Sequence, residues 1–208
     1  MPLQQKLTPD FYTRPDVVTI ARDLIGKYFF SSFDGVLTGG MVVETEAYSG
    51  TSDAACHAHL GRRTKRTQIM YQQGGVAYVY LIYGIYSLFN IVTNVEGTAD
   101  AVLIRALEPL EGIEEMRLRR GLAKVEPRLT AGPGLVTQAL GISTQHNGTD
   151  LSGDEIWFED RGVTVPEEQI IAGPRVGVAY AGADALLPWR FSLKGSCWVS
   201  KAKPVYPV

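Results

Sequence analysis

The sequence predicts a single α+β domain over residues 1–208: a curved, largely antiparallel sheet with flanking helices and a protruding β-hairpin. Three observations lead there. Runs rich in β-branched and aromatic residues follow one another without regular β–α–β alternation, which disfavours a parallel sheet. Helical periodicity is confined to three short segments. No repeat, low-complexity tract or linker divides the 208 residues, a length that buries one sizeable core.

Each element has a local reason. The first helix starts near Pro15, with Thr13 as its cap; Val17, Ile20, Ala21, Leu24 and Ile25 recur at helical spacing and Gly26 stops it. Strands follow at 27–31, 36–48, 77–82, 87–92 and 101–106. The second helix is expected over 108–121, with Pro109 in its first turn, Leu110, Ile113 and Met116 as its apolar stripe, and Arg117, Arg119 and Arg120 favouring its carboxy end. A third follows Gly132-Pro133-Gly134 and ends at Gly141, and further strands are expected at 156–159 and 175–180.

No apolar run approaches the roughly 18 residues of a membrane span. The first residues contain no apolar stretch resembling a signal peptide, and Cys56 and Cys197 make no disulfide framework, so the cytoplasm is the expected compartment. A net charge of −2 argues, as an average, against a nucleic-acid partner. The distribution says otherwise. From Ala54 to Val95 there is no Asp or Glu, while Arg62, Arg63, Lys65 and Arg66 give that stretch a charge of +4. Five of the ten tyrosines (Tyr71, Tyr78, Tyr80, Tyr83 and Tyr86) lie in the same stretch. Cations for phosphates beside flat rings for bases are the parts of a nucleic-acid surface. The plain alternative is a solvated loop followed by a tyrosine-rich core strand.

Strand alternation places Glu44, Glu46 and Tyr48 on one face. Two carboxylates so placed repel unless something uses or neutralises them, so the pair reads either as a general base with a neighbour or as an exposed edge. Cys56, His57 and His59 are potential zinc ligands, but no fourth ligand has suitable spacing, and a histidine that orients a water or substrate, or one satisfied in the core, fits better. Around Gly84 the chain reads as a hairpin whose tip exposes Tyr83, Ile85 and Tyr86, an apolar wedge of the kind that enters base steps from the minor groove; a fully buried strand is the alternative. Gly132-Pro133-Gly134 lacks the lysine and hydroxyl of a phosphate loop.

In this order the segments resemble the alkyladenine DNA glycosylase family, the 3-methyladenine DNA glycosylases of the mammalian type. The resemblance runs from the first helix to Trp189-Arg190-Phe191 and is most specific at 43–48, 53–57, 78–90 and 103–112. It implies a monofunctional hydrolase without cofactor or metal, acting as a monomer in a bacterial cytoplasm on duplex DNA that carries damaged purines, from the minor-groove side. The implied substrates are 3-methyladenine and 7-methylguanine, with hypoxanthine and ethenoadenine. By position, Glu46 matches the carboxylate that activates water and Arg105 the arginine that helps hold it. Tyr48, His57, Tyr80 and Asn90 match the base pocket, Tyr83 the intercalating side chain, and Arg62, Thr64 and Arg66 the DNA-contacting loop, with Ile85 and Tyr86 beside the wedge. Lys65, Thr67, Tyr71 and Ile85 depart from the family's usual proline, asparagine, phenylalanine and methionine. Two competing functions are a non-catalytic damaged-DNA-binding module and a zinc-dependent hydrolase.

Overall fold

A computed structural model describes residues 5–204. Its nine strands are β1 (Gln5–Lys6), β2 (Tyr28–Phe33), β3 (Val36–Tyr48), β4 (Val76–Ile82), β5 (Tyr86–Thr93), β6 (Asp100–Glu111), β7 (Ile156–Asp160), β8 (Ile170–Gly173) and β9 (Arg190–Leu193). Four α-helices accompany them among the described residues: α1 (Pro9–Tyr12), α2 (Val17–Asp23), α3 (Ile113–Arg119) and α4 (Pro133–Leu140). The sheet runs β1-β7-β2-β3-β6-β5-β4, and every pairing is antiparallel. The long strand β3 organises it. One edge of β3 pairs with β6 along most of its length, while the other pairs first with β2 and then with β9, which carries β8.

Register shifts between Gly39 and Gly40 and around Glu44 let β3 and β6 curl together, because a bulge bends its strand. Gly40 is required there: a Cβ would lie 2.1 Å from the Glu108 carbonyl oxygen. Among the described residues, no helix is long and apolar enough to cross a membrane.

The two faces of the sheet do different jobs. On one, α2 and α4 bury Val17, Ile20, Ala21, Val136, Ala139 and Leu140 against Phe29, Phe89, Ile91, Val102, Ile104 and Phe158. On the other, the alternate residues Tyr78, Val92 and Ala101 pack beneath the connection between β3 and β4, which contributes Cys56, Ala58, Met70 and Tyr71. The basic loop therefore lies across the face that the helices leave free.

Three expectations are corrected, and three short strands went unread. Asp16, not Thr13, caps α2: its carboxylate accepts the Val18 and Thr19 amides, while Thr13 closes α1. The helix expected from residue 108 begins only at Ile113, because residues 101–111 remain paired with β3 until Gly112 turns at φ 65°. Residues 175–180 form no strand. Gly177 has a φ of 78° and the Val176 amide donates to a side chain, so the extended ladder cannot form. The very short β1, β8 and β9 carry no alternation long enough to read.

Candidate active site

The face opposite the helices holds a cavity of about 870 Å³. Tyr48 from β3, Tyr78 and Tyr80 from β4, Asn90 from β5 and Arg105 from β6 line it, together with His57 and Arg66 from the basic connection. All five strand residues obey the alternation that sends their neighbours into the core. The hairpin supplies Tyr83 and Tyr86 at the rim, and Tyr180 closes another side.

Glu44 and Glu46 are both fully buried, and Arg105 lies between them, so they are not an exposed edge. Arg105 Nε donates to Glu44 at 3.1 Å, and its Nη1 lies 3.3 Å from Glu46 Oε1. Burial works against the guanidinium charge, but Glu46 and Glu44 outweigh it and hold the pKa above the ordinary arginine range. Glu44 is saturated: the Ser200 amide and hydroxyl donate to it at 2.8 and 2.9 Å, and Arg190 sits 3.5 Å away. Glu46 is less crowded. It accepts the Tyr48 hydroxyl and the Val176 amide, each at 2.7 Å. Glu46 itself stands just behind the cavity wall, and the three residues that hold it all line the cavity. Burial and the adjacent Glu46 raise the Tyr48 phenol well above its usual range, so Tyr48 remains a donor.

The side of the cavity that carries His57 is also networked. Arg66 Nε donates to the Tyr78 hydroxyl at 3.2 Å, and that hydroxyl lies 2.9 Å from His57 Nδ1. Arg66 Nη2 also reaches the imidazole, 3.3 Å from Nε2 and 3.4 Å from Nδ1. Burial, then the Arg66 charge, pushes the His57 pKa down to about 4, and the ring is neutral at physiological pH. His57 meets the edge of Tyr80 at 4.9 Å between ring centroids. Asn90 donates its amide to the Tyr78 carbonyl at 3.1 Å, which fixes its orientation.

At the hairpin tip Tyr83 and Gly84 have φ values of 53° and 69°, the positive pair that a type I′ turn requires. Tyr83 is 85% exposed and Ile85 71%. The Gly132–Leu135 segment at the start of α4 braces the hairpin base: a Cβ on Gly134 would lie 2.9 Å from Tyr86 atoms.

Arg62 and Thr64 lie in the exposed loop and, like Ile85, do not line the cavity, whereas Arg66 does. Thr67 and Tyr71, two of the departures noted in the sequence, hold that loop. Both hydroxyls donate to the Arg62 carbonyl, and the Thr64 amide donates to Thr67. Cys56 offers no partner for a metal with His57. Its buried thiol, pushed up to about 12, faces the Ala99 carbonyl, and among the described residues no three His, Cys, Asp or Glu side chains converge.

Sequence reasoning did not single out Arg175 or Val176, and it left Tyr78 without a role. Arg175, fully buried, forms a two-pronged ion pair with Asp53, donates to the Ala47 carbonyl, and lies 4.7 Å from the centre of the Tyr48 ring. It thereby pins the segment carrying Val176 against β3 and Glu46. Nothing local announced the pair, since its partners are 122 positions apart. Tyr78 was signalled by its spacing of two from Tyr80.

A model of the methylpurine-DNA glycosylase family matches residues 10–197. The chain belongs to that family. It is a DNA N-glycosylase, a hydrolase of N-glycosyl bonds that serves the repair of alkylated bases. A Bacillus cereus protein named "Putative 3-methyladenine DNA glycosylase" is 43% identical over 205 residues, covering 93% of this chain and 98% of its own length. Its namesake in Bacillus thuringiensis is 42% identical with the same coverage. The Bacillus cytotoxicus relative of that name is 42% identical over 208 residues, 94% of this chain and all of its own. As in the sequence reading, the protein is a mixed α/β glycosylase built on a curled antiparallel sheet.

Proposed function

We propose that this glycosylase extrudes a damaged purine from duplex DNA into the cavity and cleaves its N-glycosidic bond with a water activated by Glu46. Position and burial of Glu46 carry this reading. A carboxylate offers about four lone-pair positions. Tyr48 and Val176 occupy two and the Arg105 guanidinium lies against Oε1, which leaves room for a water between the acid and the cavity. A non-catalytic binder has no use for a buried carboxylate held in this way beside an anionic ligand.

The steps follow from the surroundings. Tyr83 fills the gap in the stack from the minor-groove side while Arg62 and the Thr64 segment meet the backbone. Tyr48 and Tyr80 flank the extruded base, and Asn90 disfavours the extra amino group of guanine. Glu46 takes a proton as the water oxygen bonds to C1′, and the electron pair of the C1′–N bond leaves with the purine. A 3-methyladenine or 7-methylguanine base departs as a neutral molecule. Hypoxanthine and ethenoadenine leave with help from a hydrogen-bond donor. No lysine lines the cavity among the described residues, which favours water over an amine nucleophile. The product is an intact strand with an abasic site, the entry point of base excision repair. The protein acts as a monomer in the cytoplasm.

Incubating methylated duplex DNA with the protein tests this reading. Free 3-methyladenine and 7-methylguanine should appear, with strand breaks only after alkali. Breaks without alkali, or no released base, would overturn it.

A further inference from the structure

We propose that Arg66 sets how the pocket discriminates between cationic and neutral purines, by placing an unneutralised positive charge beside the Tyr80 wall. The inference rests on the glycosylase reading and gives Arg66 a task that the other loop cations do not share.

Three contacts hold the guanidinium at the cavity rather than out at a phosphate. Arg66 Nε donates to Tyr78, Nη2 lies 3.4 Å from His57 Nδ1, and the guanidinium carbon sits 4.3 Å from the centre of the Tyr80 ring. Among the described residues no carboxylate belongs to this set. Arg175, against the Tyr48 wall, differs because Asp53 neutralises it. Arg105 is likewise held between Glu44 and Glu46. Arg66 is thus the cation of the cavity wall whose field is not cancelled locally. Its reach is visible in His57, whose protonated form it disfavours, second only to burial.

An extruded base bounded by Tyr48, Tyr80 and His57 enters the same field. The tyrosine faces attract a cationic ring. Arg66 repels it, while a neutral purine feels neither charge effect strongly. Two unit charges some 7 Å apart, partly screened because Arg66 is exposed, give a bias of about three- to tenfold against the cationic base. The two aromatic walls alone would make the pocket strongly cation-selective; Arg66 moderates that preference.

The test uses matched duplexes with a single 7-methylguanine or a single hypoxanthine, under single turnover with saturating enzyme. Wild type, Arg66→Gln, Arg66→Lys and Arg62→Gln are compared by the ratio of the two excision rates, in which general losses of folding or binding cancel. Arg66→Gln should raise the 7-methylguanine-to-hypoxanthine ratio about three- to tenfold. Arg66→Lys, which keeps the charge, and Arg62→Gln, which changes only the loop, should leave it within twofold of wild type. An unchanged ratio in Arg66→Gln, or an equal rise in Arg62→Gln or Arg66→Lys, overturns the inference. Wild type that frees 7-methylguanine but no hypoxanthine also overturns it. Release of neither base by wild type would instead contradict the glycosylase reading on which it stands.

Discussion

Replacing Tyr83 with alanine separates function from folding more sharply than any other change in this protein. The ring is 85% exposed, so truncation removes little burial. Of the roughly 200 Å² that a tyrosine can bury, about 30 Å² is covered here, about 0.8 kcal/mol at the usual coefficient. The positive φ of 53° is as unfavourable for alanine as for tyrosine, so the backbone term cancels. The net change in stability is within about 1 kcal/mol, a shift of roughly 2–4 °C in Tm for a chain of this size. A bulky apolar residue held in that backbone region, and in water, makes sense if DNA uses it. Unstacking a base costs a few kcal/mol, and a wedge that offsets about 2 kcal/mol changes the extruded population about thirtyfold. The assay is stopped-flow fluorescence of 2-aminopurine placed beside the lesion, with single-turnover excision and a thermal melt on the same sample. Tyr83→Ala should melt with wild type yet lose about tenfold or more in both functional readouts. Wild-type extrusion and excision would refute the wedge; a collapse in Tm would refute the energetic argument.

Two further outcomes follow from the buried network. Glu44→Ala leaves Arg105 and Arg190 facing an empty site and should cost about 3 kcal/mol of stability, measured by urea unfolding; a loss below about 1 kcal/mol would show that the ion pair is dispensable. His57 is held near a pKa of about 4 in the native state, below its ordinary 6.5. The unfolded chain therefore takes up the proton first, and the destabilisation develops as pH falls from about 6.5 towards 4 and is absent above that window. NMR titration of the His57 ring should show a midpoint near 4, moving up in Arg66→Ala; a wild-type midpoint near 6.5 would contradict the network.

What the sequence made legible was local. β3 and the β4–β5 hairpin announce themselves through β-branched and aromatic runs, and alternation along β3 already put Glu44, Glu46 and Tyr48 on one face. The second helix was started too early because Leu110, which lies in β6, happens to continue the helical spacing of Ile113 and Met116 in α3. Pro109 helped mislead: it suits a first helical turn, yet here it sits in β6 opposite Gly40, beside a register shift. Long-range electrostatics were not legible. The Asp53–Arg175 pair and the placing of Arg105 between two carboxylates depend on strands and loops meeting in space. Resemblance supplied Arg105 as a position; only the fold explains how two buried acids coexist.

The central claim is that Glu46 activates the attacking water, and single-turnover excision of 7-methylguanine by Glu46→Gln tests it most directly. Glutamine can keep the bond from the Val176 amide, and Glu44 still neutralises Arg105, so the variant should fold and bind damaged duplex within a few-fold of wild type. The expected result is a loss of about 10²–10⁴ in the excision rate, the range associated with a positioned general base. An excision rate equal to that of wild type would contradict the account.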